Sequence, residues 1–267
     1  MNSLHASLAF LDPDAVDEPA FAASITVKEH EAELPMHRHR KGQLVVALQG
    51  GVMCRAQGGL WMVPPGSGVW IPGSVLHSNH VTANGRICLL FVDPSVPGLP
   101  DHCCTLSLTP LVIEMVKHMA ASPMQAHVPG SHRDRIAQVV IEELRRMKVA
   151  SLHLPIPEDP ALTRIAHALM QNPADRSTVA EWAERVAMSE RALARLVTKK
   201  TSMSFGRWRQ QLHIVIALQR LTSGLSVQSV SDDLGYESVS AFITMFKNAL
   251  GKPPARYVAE QASRGGS

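Results

Sequence analysis

At 267 residues, with 45% apolar and 18% charged side chains, the chain is long enough for two packed domains, and its composition is not that of a disordered or fibrous protein. No apolar run reaches the roughly 18–20 residues that a membrane-spanning helix needs, and the acidic N-terminus lacks the basic flank of a secretion signal; the expectation is a cytoplasmic protein with no membrane partner. The net charge of +3 hides a balance of +6 over residues 161–267 against −3 over residues 1–160, which suits either a nucleic-acid module at the C-terminal end or a merely solvated basic surface.

From Ile25 to Val92 the pattern is that of strands. The apolar run from Gln43 to Leu48 is closed by Gly50-Gly51, and Val52 to Ala56, Leu60 to Val63, Gly68 to Ile71 and Ile87 to Val92 follow at short intervals. Gly58-Gly59, Pro64-Pro65-Gly66, Pro72-Gly73 and Asn84-Gly85 supply the turns. Such punctuation predicts a small β-barrel or double-sheet jelly roll over residues 1–107. Cys54, Cys88, Cys103 and Cys104 have neither zinc-ligand spacing nor the look of a disulfide framework. The adjacent pair Cys103-Cys104 reads either as a soft-metal or oxidation-sensing pair or as ordinary buried thiols.

One constellation is set into these strands: His37-x-His39-x-x-x-Gln43, then Pro72 and His77. His37 and His39, two apart on a strand, point to one face, as two ligands of one ion must. The set resembles the two cupin motifs, and the resemblance implies that His77 meets the pair across a cupin-like barrel. Gln43 stands where that pattern usually has Glu, and a neutral amide is a weak ligand for a divalent cation. Gly73 directly follows Pro72, one place earlier than is common. Three readings stay open: a divalent metal on His37, His39 and His77; an effector pocket without metal, lined by His37, His39, Gln43, Trp61, Trp70 and His77; or histidines that only form hydrogen bonds. Trp61 and Trp70, on neighbouring predicted strands, can wall a pocket for a planar ligand or simply fill the core. The expectation carried forward is the effector pocket, with no cofactor.

Residues 108–150 turn helical. Leu111, Val112, Met115, Val116 and Met119 fit one amphipathic helix; Ile136, Val139, Val140, Glu143, Leu144 and Met147 fit another, with Arg145, Arg146 and Lys148 in its last turn. The pair can cover the barrel. Residues 151–160, with three prolines, read as an exposed linker.

From Ala161 the chain is helical throughout. Leu162, Ile165, Ala166 and Leu169 make one helix, ended by Asn172-Pro173. Thr178-x-x-Glu181 has capping-box spacing and opens a helix with Val179, Trp182, Ala183 and Val186 inward. Ser189 caps the next, with Leu193, Leu196 and Val197 inward, and Phe205 to Ser223 is one long helix. Val227 to Leu234 and Ser238 to Leu250 repeat the two-helix plan around Gly235, which needs a positive φ, and Gly251 with Pro253-Pro254 ends the second copy. Two helices joined by a tight Gly turn form the helix-turn-helix plan.

The order Gly-Tyr, Ser-x-Ser, Phe-x-x-x-Phe-Lys and a late Gly/Pro pair over Leu234 to Tyr257 closely resembles the second helix-turn-helix of AraC/XylS-type transcription regulators. Met188 to Gln211 is similar to the first recognition helix and connecting helix of the same family, with Val197, Ser202 and His213 where Phe, Gly and Arg are common. The resemblance implies an α+β, multidomain regulator: a cupin-like sensing domain (1–107), a helical cover or dimerisation segment (108–150), a linker (151–160) and an all-α DNA-binding domain (161–262) with helix-turn-helix units at 179–200 and 227–250. Its expected partners are a double-stranded DNA operator, RNA polymerase, a small-molecule effector and a second copy of the chain; its expected action is activation.

On the reading helices, an exposed Arg can bond guanine through two hydrogen bonds, and short side chains let a helix sit deep in the major groove. The expected DNA contacts are Ser189, Glu190, Arg191, Ala194, Arg195 and Lys199 in the first unit. In the second they are Glu237, Ser238, Ser240, Ala241, Thr244 and Lys247, the lysines meeting phosphates and Ser238 either a contact or only a cap. The alternative is a metal-dependent cupin enzyme carrying a DNA-binding tail.

Overall fold

A computed structural model describes residues 12–27, 32–56, 59–63, 67–82, 85–122, 128–150, 153–156 and 159–265. The expected turns at Gly58, Pro64 to Gly66 and Asn84 lie outside these. The main change between two compact units falls at Leu152/His153.

The N-terminal unit is a two-sheet β structure. One sheet has the strand order β1 (Ala20–Thr26), β8 (Arg86–Val92), β3 (Gly42–Gln49), β6 (Ser67–Ile71), β9 (Cys104–Ser107), β10 (Lys148–Ala150); in the other, β5 (Gly59–Val63), β4 (Val52–Ala56), β7 (His77–Val81) and β2 (Ala32–His37) follow one another. The resolved pairings are antiparallel. Strand β3 is apolar on both faces because each face has a cover. Val45 and Ala47 join Phe21, Cys54, Trp61, Val81 and Phe91 between the sheets; Leu44, Val46 and Leu48 join Trp70, Leu90 and Leu106 beneath two helices, α1 (Pro110–Ala121) and α2 (His132–Arg145). Thr109 and Ser131 cap them, and Val112, Val116, Val140 and Leu144 are their buried faces.

Three expectations need correction. Lys148 is not in the last turn of α2: the helix stops at Arg145, and Lys148 pairs with Ser107 as the first residue of β10. Residues 151–160 are not an exposed linker throughout, because His153–Pro155 is a short strand, β11, in which Leu154 is buried. Extended backbone is what its prolines favour, and the alternation turns Leu154 inward. Trp61 and Trp70 do not wall one pocket. Their strands are neighbours in sequence but belong to different sheets, so Trp61 faces the space between the sheets while Trp70 faces the helices and donates to the Pro100 carbonyl at 2.8 Å.

The chain from Pro160 is helical: α3 (Pro160–Gln171), α4 (Val179–Arg185), α5 (Glu190–Thr201), α6 (Phe205–Thr222), α7 (Val227–Asp233), α8 (Val239–Leu250) and α9 (Pro254–Gly265). Six of these starts carry a side-chain cap, from Asp159, Thr178, Ser189, Ser204, Ser226 and Ser238, with Thr178 and Glu181 closing a full capping box. Helix α6 is buried without a break from Leu212 to Leu218, since α3, α5 and α7 all pack on it. Trp208 near its start donates to the Pro155 carbonyl at 2.7 Å. Pro254 stops α8 from continuing and, at the first position where no amide hydrogen is needed, opens α9.

Candidate nucleic-acid interface and sensor site

The two reading helices present the faces their sequences require. On α5, Leu193 and Val197 are fully buried, while Glu190, Arg191, Ala194, Arg195, Thr198 and Lys199 are exposed. On α8, Phe242, Met245 and Phe246 are buried, and Ser240, Ala241, Thr244 and Lys247 are exposed, with Glu237 and Ser238 exposed just ahead of the helix. Ser189 and Ser238 each accept an amide hydrogen, from Ala192 and Ala241 at 3.2 Å, so their oxygens cap the helices while the hydroxyl hydrogen and one lone pair of each remain to reach DNA. Thr198 and Thr244 spend their hydroxyl hydrogens on the Ala194 and Ser240 carbonyls, at 3.0 and 2.9 Å; each is left as an acceptor, suited to the exocyclic amines of cytosine or adenine. Arg191 and Arg195 keep the donor forks that guanine requires.

A bracket that the sequence did not suggest holds the second unit in place. Arg176, in the loop before α4, donates to the Gly235 carbonyl and, at 3.1 Å, to that of Leu234; its guanidinium lies over the Tyr236 ring, 5.0 Å from the centroid. The Tyr236 hydroxyl meets His213 Nδ1 at 3.1 Å, and His213 Nε2 meets the Pro173 carbonyl at 3.0 Å. A carbonyl only accepts, so the proton sits on Nε2 and the tyrosine donates to Nδ1. Burial, with Arg176 nearby, pushes His213 down to about 4, and the ring is neutral at physiological pH. The neutral ring is also what the burial of this position demands: a guanidinium here would have to be paired.

In the N-terminal unit, His37, His39 and His77 come together as expected. One ring nitrogen from each lies within 4.8 Å of the others. His37 and His77 are paired across β2 and β7 and their rings are 4.3 Å apart. Each ring turns Nδ1 onto a backbone carbonyl: His37 on Pro35 at 2.8 Å, His39 on Lys41 at 2.7 Å and His77 on Val75 at 2.9 Å. The Nδ1 atoms therefore carry hydrogens, and in neutral rings the Nε2 atoms offer lone pairs. Burial lowers His37, and lowers His77 to about 4. Gln43, 1% exposed, places Oε1 at 2.8 Å from His39 Nε2 and 3.1 Å from His77 Nε2.

The metal that the cupin resemblance implies is tested by this donor set. Three neutral nitrogens suit a transition metal, but the fourth group is an uncharged amide whose buried nitrogen is left without a partner. A carboxylate in its place would orphan no donor and would offset the ion's charge. The set does not fit a tightly held divalent cation. The cysteines fit no reactive role either: Cys54 is fully buried with its thiol pushed up by burial, and burial also raises Cys103 and Cys104, each to about 11.

The fold and both sites now stand beside known proteins. Residues 182–260 match the family described as "Helix-turn-helix domain" and residues 24–100 match "AraC-like ligand binding domain". The chain belongs to the AraC-type family of transcription regulators, with a ligand-binding N-terminal domain and a helix-turn-helix C-terminal domain. It is 44% identical over 248 residues to the HTH-type transcriptional regulator NimR of Escherichia coli K12, covering 93% of this chain and 90% of that one. It is 31% identical over 134 residues to the transcriptional activator NphR of a Rhodococcus species, covering 49% of this chain and 38% of that one. Among solved structures, ToxT of Vibrio cholerae O395 aligns over 90% of this chain and 97% of its own at 11% identity and a TM-score of 0.40. Among the described residues no helix is long and apolar enough to cross a membrane.

Proposed function

We propose that this regulator reads a two-part operator with α5 and α8 and is switched by a small molecule held among His37, His39, Gln43 and His77. The observation that carries the first half is that both reading helices bury one apolar face and turn outward a face of Arg, Lys and short side chains. Arg191 and Arg195 contact bases; Lys199 and Lys247 contact phosphates; Ser189, Glu190, Ala194, Glu237, Ser238, Ser240, Ala241 and Thr244 fit the helices into successive grooves. Trp61, which faces the space between the sheets, keeps its effector-contacting role, whereas Trp70 is withdrawn from it. Leu111 and Val139, exposed on α1 and α2, favour a homodimer through these helices. By analogy with its relatives the protein acts in the cytoplasm, recruits RNA polymerase as an activator and catalyses no reaction; the cupin-enzyme alternative needs a metal that Gln43, an uncharged amide, disfavours.

Arg195→Ala tests the DNA reading. It weakens operator binding and relaxes preference at one base position by about 1–3 kcal/mol, measured by quantitative gel shift over a set of single-base operator variants. Unchanged affinity and preference remove Arg195 from the interface. The sensor half is tested by a reporter: induction by the effector is lost in His77→Ala, and induction that survives it moves the switch elsewhere.

A further inference from the structure

The geometry around Gln43 poses a contradiction that turning its amide resolves without adding charge. His39 Nε2 and His77 Nε2 are acceptors, because both rings commit their Nδ1 hydrogens to backbone carbonyls. Gln43 Oε1, also an acceptor, lies at hydrogen-bond distance from both, while Gln43 Nε2, a donor of two hydrogens, is buried with no partner. Cationic rings would also repair the contacts, but two adjacent charges, one of them on the buried His77, with no carboxylate among the clustered groups are costly. Turning the amide over repairs these contacts without charge: its two hydrogens meet the two Nε2 lone pairs, the orphaned donor disappears, and Oε1 becomes the group without a partner. Amide oxygen and nitrogen are told apart only by such networks.

We infer that Gln43 occupies the role a metal ion would fill, its amide group donating to His39 and His77, and that the barrel is a metal-free receptor for an uncharged ligand with both hydrogen-bond donors and an acceptor. This rests on the effector reading proposed above and gives that site a chemistry. With the amide turned, the groups left over are Gln43 Oε1 and His37 Nε2, both acceptors, so the ligand must bring donors. A second group lies further in. Asn79 is two residues beyond His77 on β7, hence on the same face, and opposes Leu34 and Cys54, which line the space between the sheets. It is 0% exposed, and neither its amide nitrogen nor its oxygen has a partner. A buried amide with both ends unsatisfied asks for a partner that both donates and accepts. The charge-bearing groups acting on His37 and His77 are themselves histidines. Asp14, the carboxylate that acts on His39, already accepts from the Arg40 and Lys41 amides, so an ionic ligand of either sign would enter without an unengaged counter-charge. Gln43 and Asn79 are the specificity-determining residues.

The test uses the metal-free full chain and side-chain 1H–15N spectra of its histidines. The expected spectra show three neutral rings protonated on Nδ1, with His39 and His77 Nε2 at hydrogen-bonded positions. Acetamide, which donates and accepts without charge, perturbs the His37 ring and the Asn79 amide; acetate and ethylammonium, of similar size, do not. A response to either ion, or to none of the three, overturns the ligand class. In parallel, Co2+ titration followed by visible absorbance is expected to show Gln43→Glu binding at least about tenfold tighter than the wild type. Equal affinity, or stoichiometric metal in protein purified without chelator, overturns the metal-free assignment, and the wild-type spectra decide the matter should Gln43→Glu not fold. Failure of the effector reading is seen separately, as induction of the reporter that persists in His77→Ala.

Discussion

The two helix-turn-helix units are built to one backbone plan with different residues at its left-handed positions. In the first, Ala187 has φ 56°, its amide bonds the Glu184 carbonyl, and the Met188 amide bonds that of Ala183. In the second, Gly235 has φ 69°, its amide bonds Asp232, and the Tyr236 amide bonds Ser231. The reading helices end alike too, Ser202 at φ 59° after α5 and Gly251 at φ 77° after α8. One unit thus uses Ala and Ser where the other uses Gly. The difference shows that a positive φ alone does not dictate glycine, since a side chain there costs only about 1–2 kcal/mol. What dictates Gly235 is its neighbour: an added Cβ would lie 3.0 Å from the Ala174 Cβ and 3.1 Å from its Cα, whereas Ala187 is exposed.

The largest expected effect follows from that contact. Gly235→Ala combines backbone strain with overpacking against Ala174 and destabilises the C-terminal unit by about 2–4 kcal/mol, read by denaturant unfolding. It also pushes on the loop from which Arg176 grips the Leu234 and Gly235 carbonyls, so specific DNA binding falls with it. A Gly235→Ala variant as stable as the wild type would mean that the close approach does not constrain the turn. Ala187→Gly, its counterpart in the first unit, sharpens the comparison by moving stability in the opposite direction or not at all.

Much of this was legible in the sequence, and the exceptions share a cause. Caps, turns and apolar faces are local, and Thr178, Ser189, Ser238 and Gly235 announced them. The pairing of His37 and His39 followed from a strand's two-residue period. Which sheet a strand joins is not local: Trp61 and Trp70 looked adjacent because β5 and β6 are adjacent in sequence, yet the chain crosses between sheets there. The bracket that ties Arg176, Tyr236, His213 and Pro173 together also reaches from Arg176 to the Gly235 carbonyl, 59 residues away, and carries no motif; the only sign was His213 standing where the family commonly has Arg. Asn79 gave no sign, since an Asn in a strand normally reads as an exposed or edge residue.

The bracket yields the next effect, which the first unit lacks. His213 takes up a proton at about pH 4 in the folded protein and near 6.5 when unfolded. Between those values the unfolded chain binds the extra proton and the native state does not, so this contribution is complete above pH 6.5 and is lost as pH falls toward 4, by about 1.4 kcal/mol per pH unit inside the window. His77 acts with the same sign in the N-terminal unit, and the two must be separated. Replacing Trp61 and Trp70 with Phe leaves the fluorescence to Trp182 and Trp208, which report the C-terminal unit alone. Denaturation midpoints of that variant should fall between pH 7 and pH 5; midpoints flat over that range would mean that His213 is not held neutral by its surroundings.

The smallest expected effect is a gain. Ser202 is exposed and left-handed, and its amide bonds the Thr198 carbonyl, a bond that glycine would keep. Ser202→Gly removes the strain of a Cβ at positive φ but adds freedom to the unfolded chain, and the two together leave a stabilisation of about 0.5–1 kcal/mol. Gly251→Ala is the converse. Its added Cβ meets nothing within 4 Å, so it isolates backbone strain from packing; that strain, less the freedom alanine removes from the unfolded chain, costs about 0.5–1 kcal/mol. Measured by denaturant unfolding, the pair should move in opposite directions by similar amounts. A loss on Ser202→Gly would show that the serine side chain does something at the end of α5 that its backbone conformation does not explain.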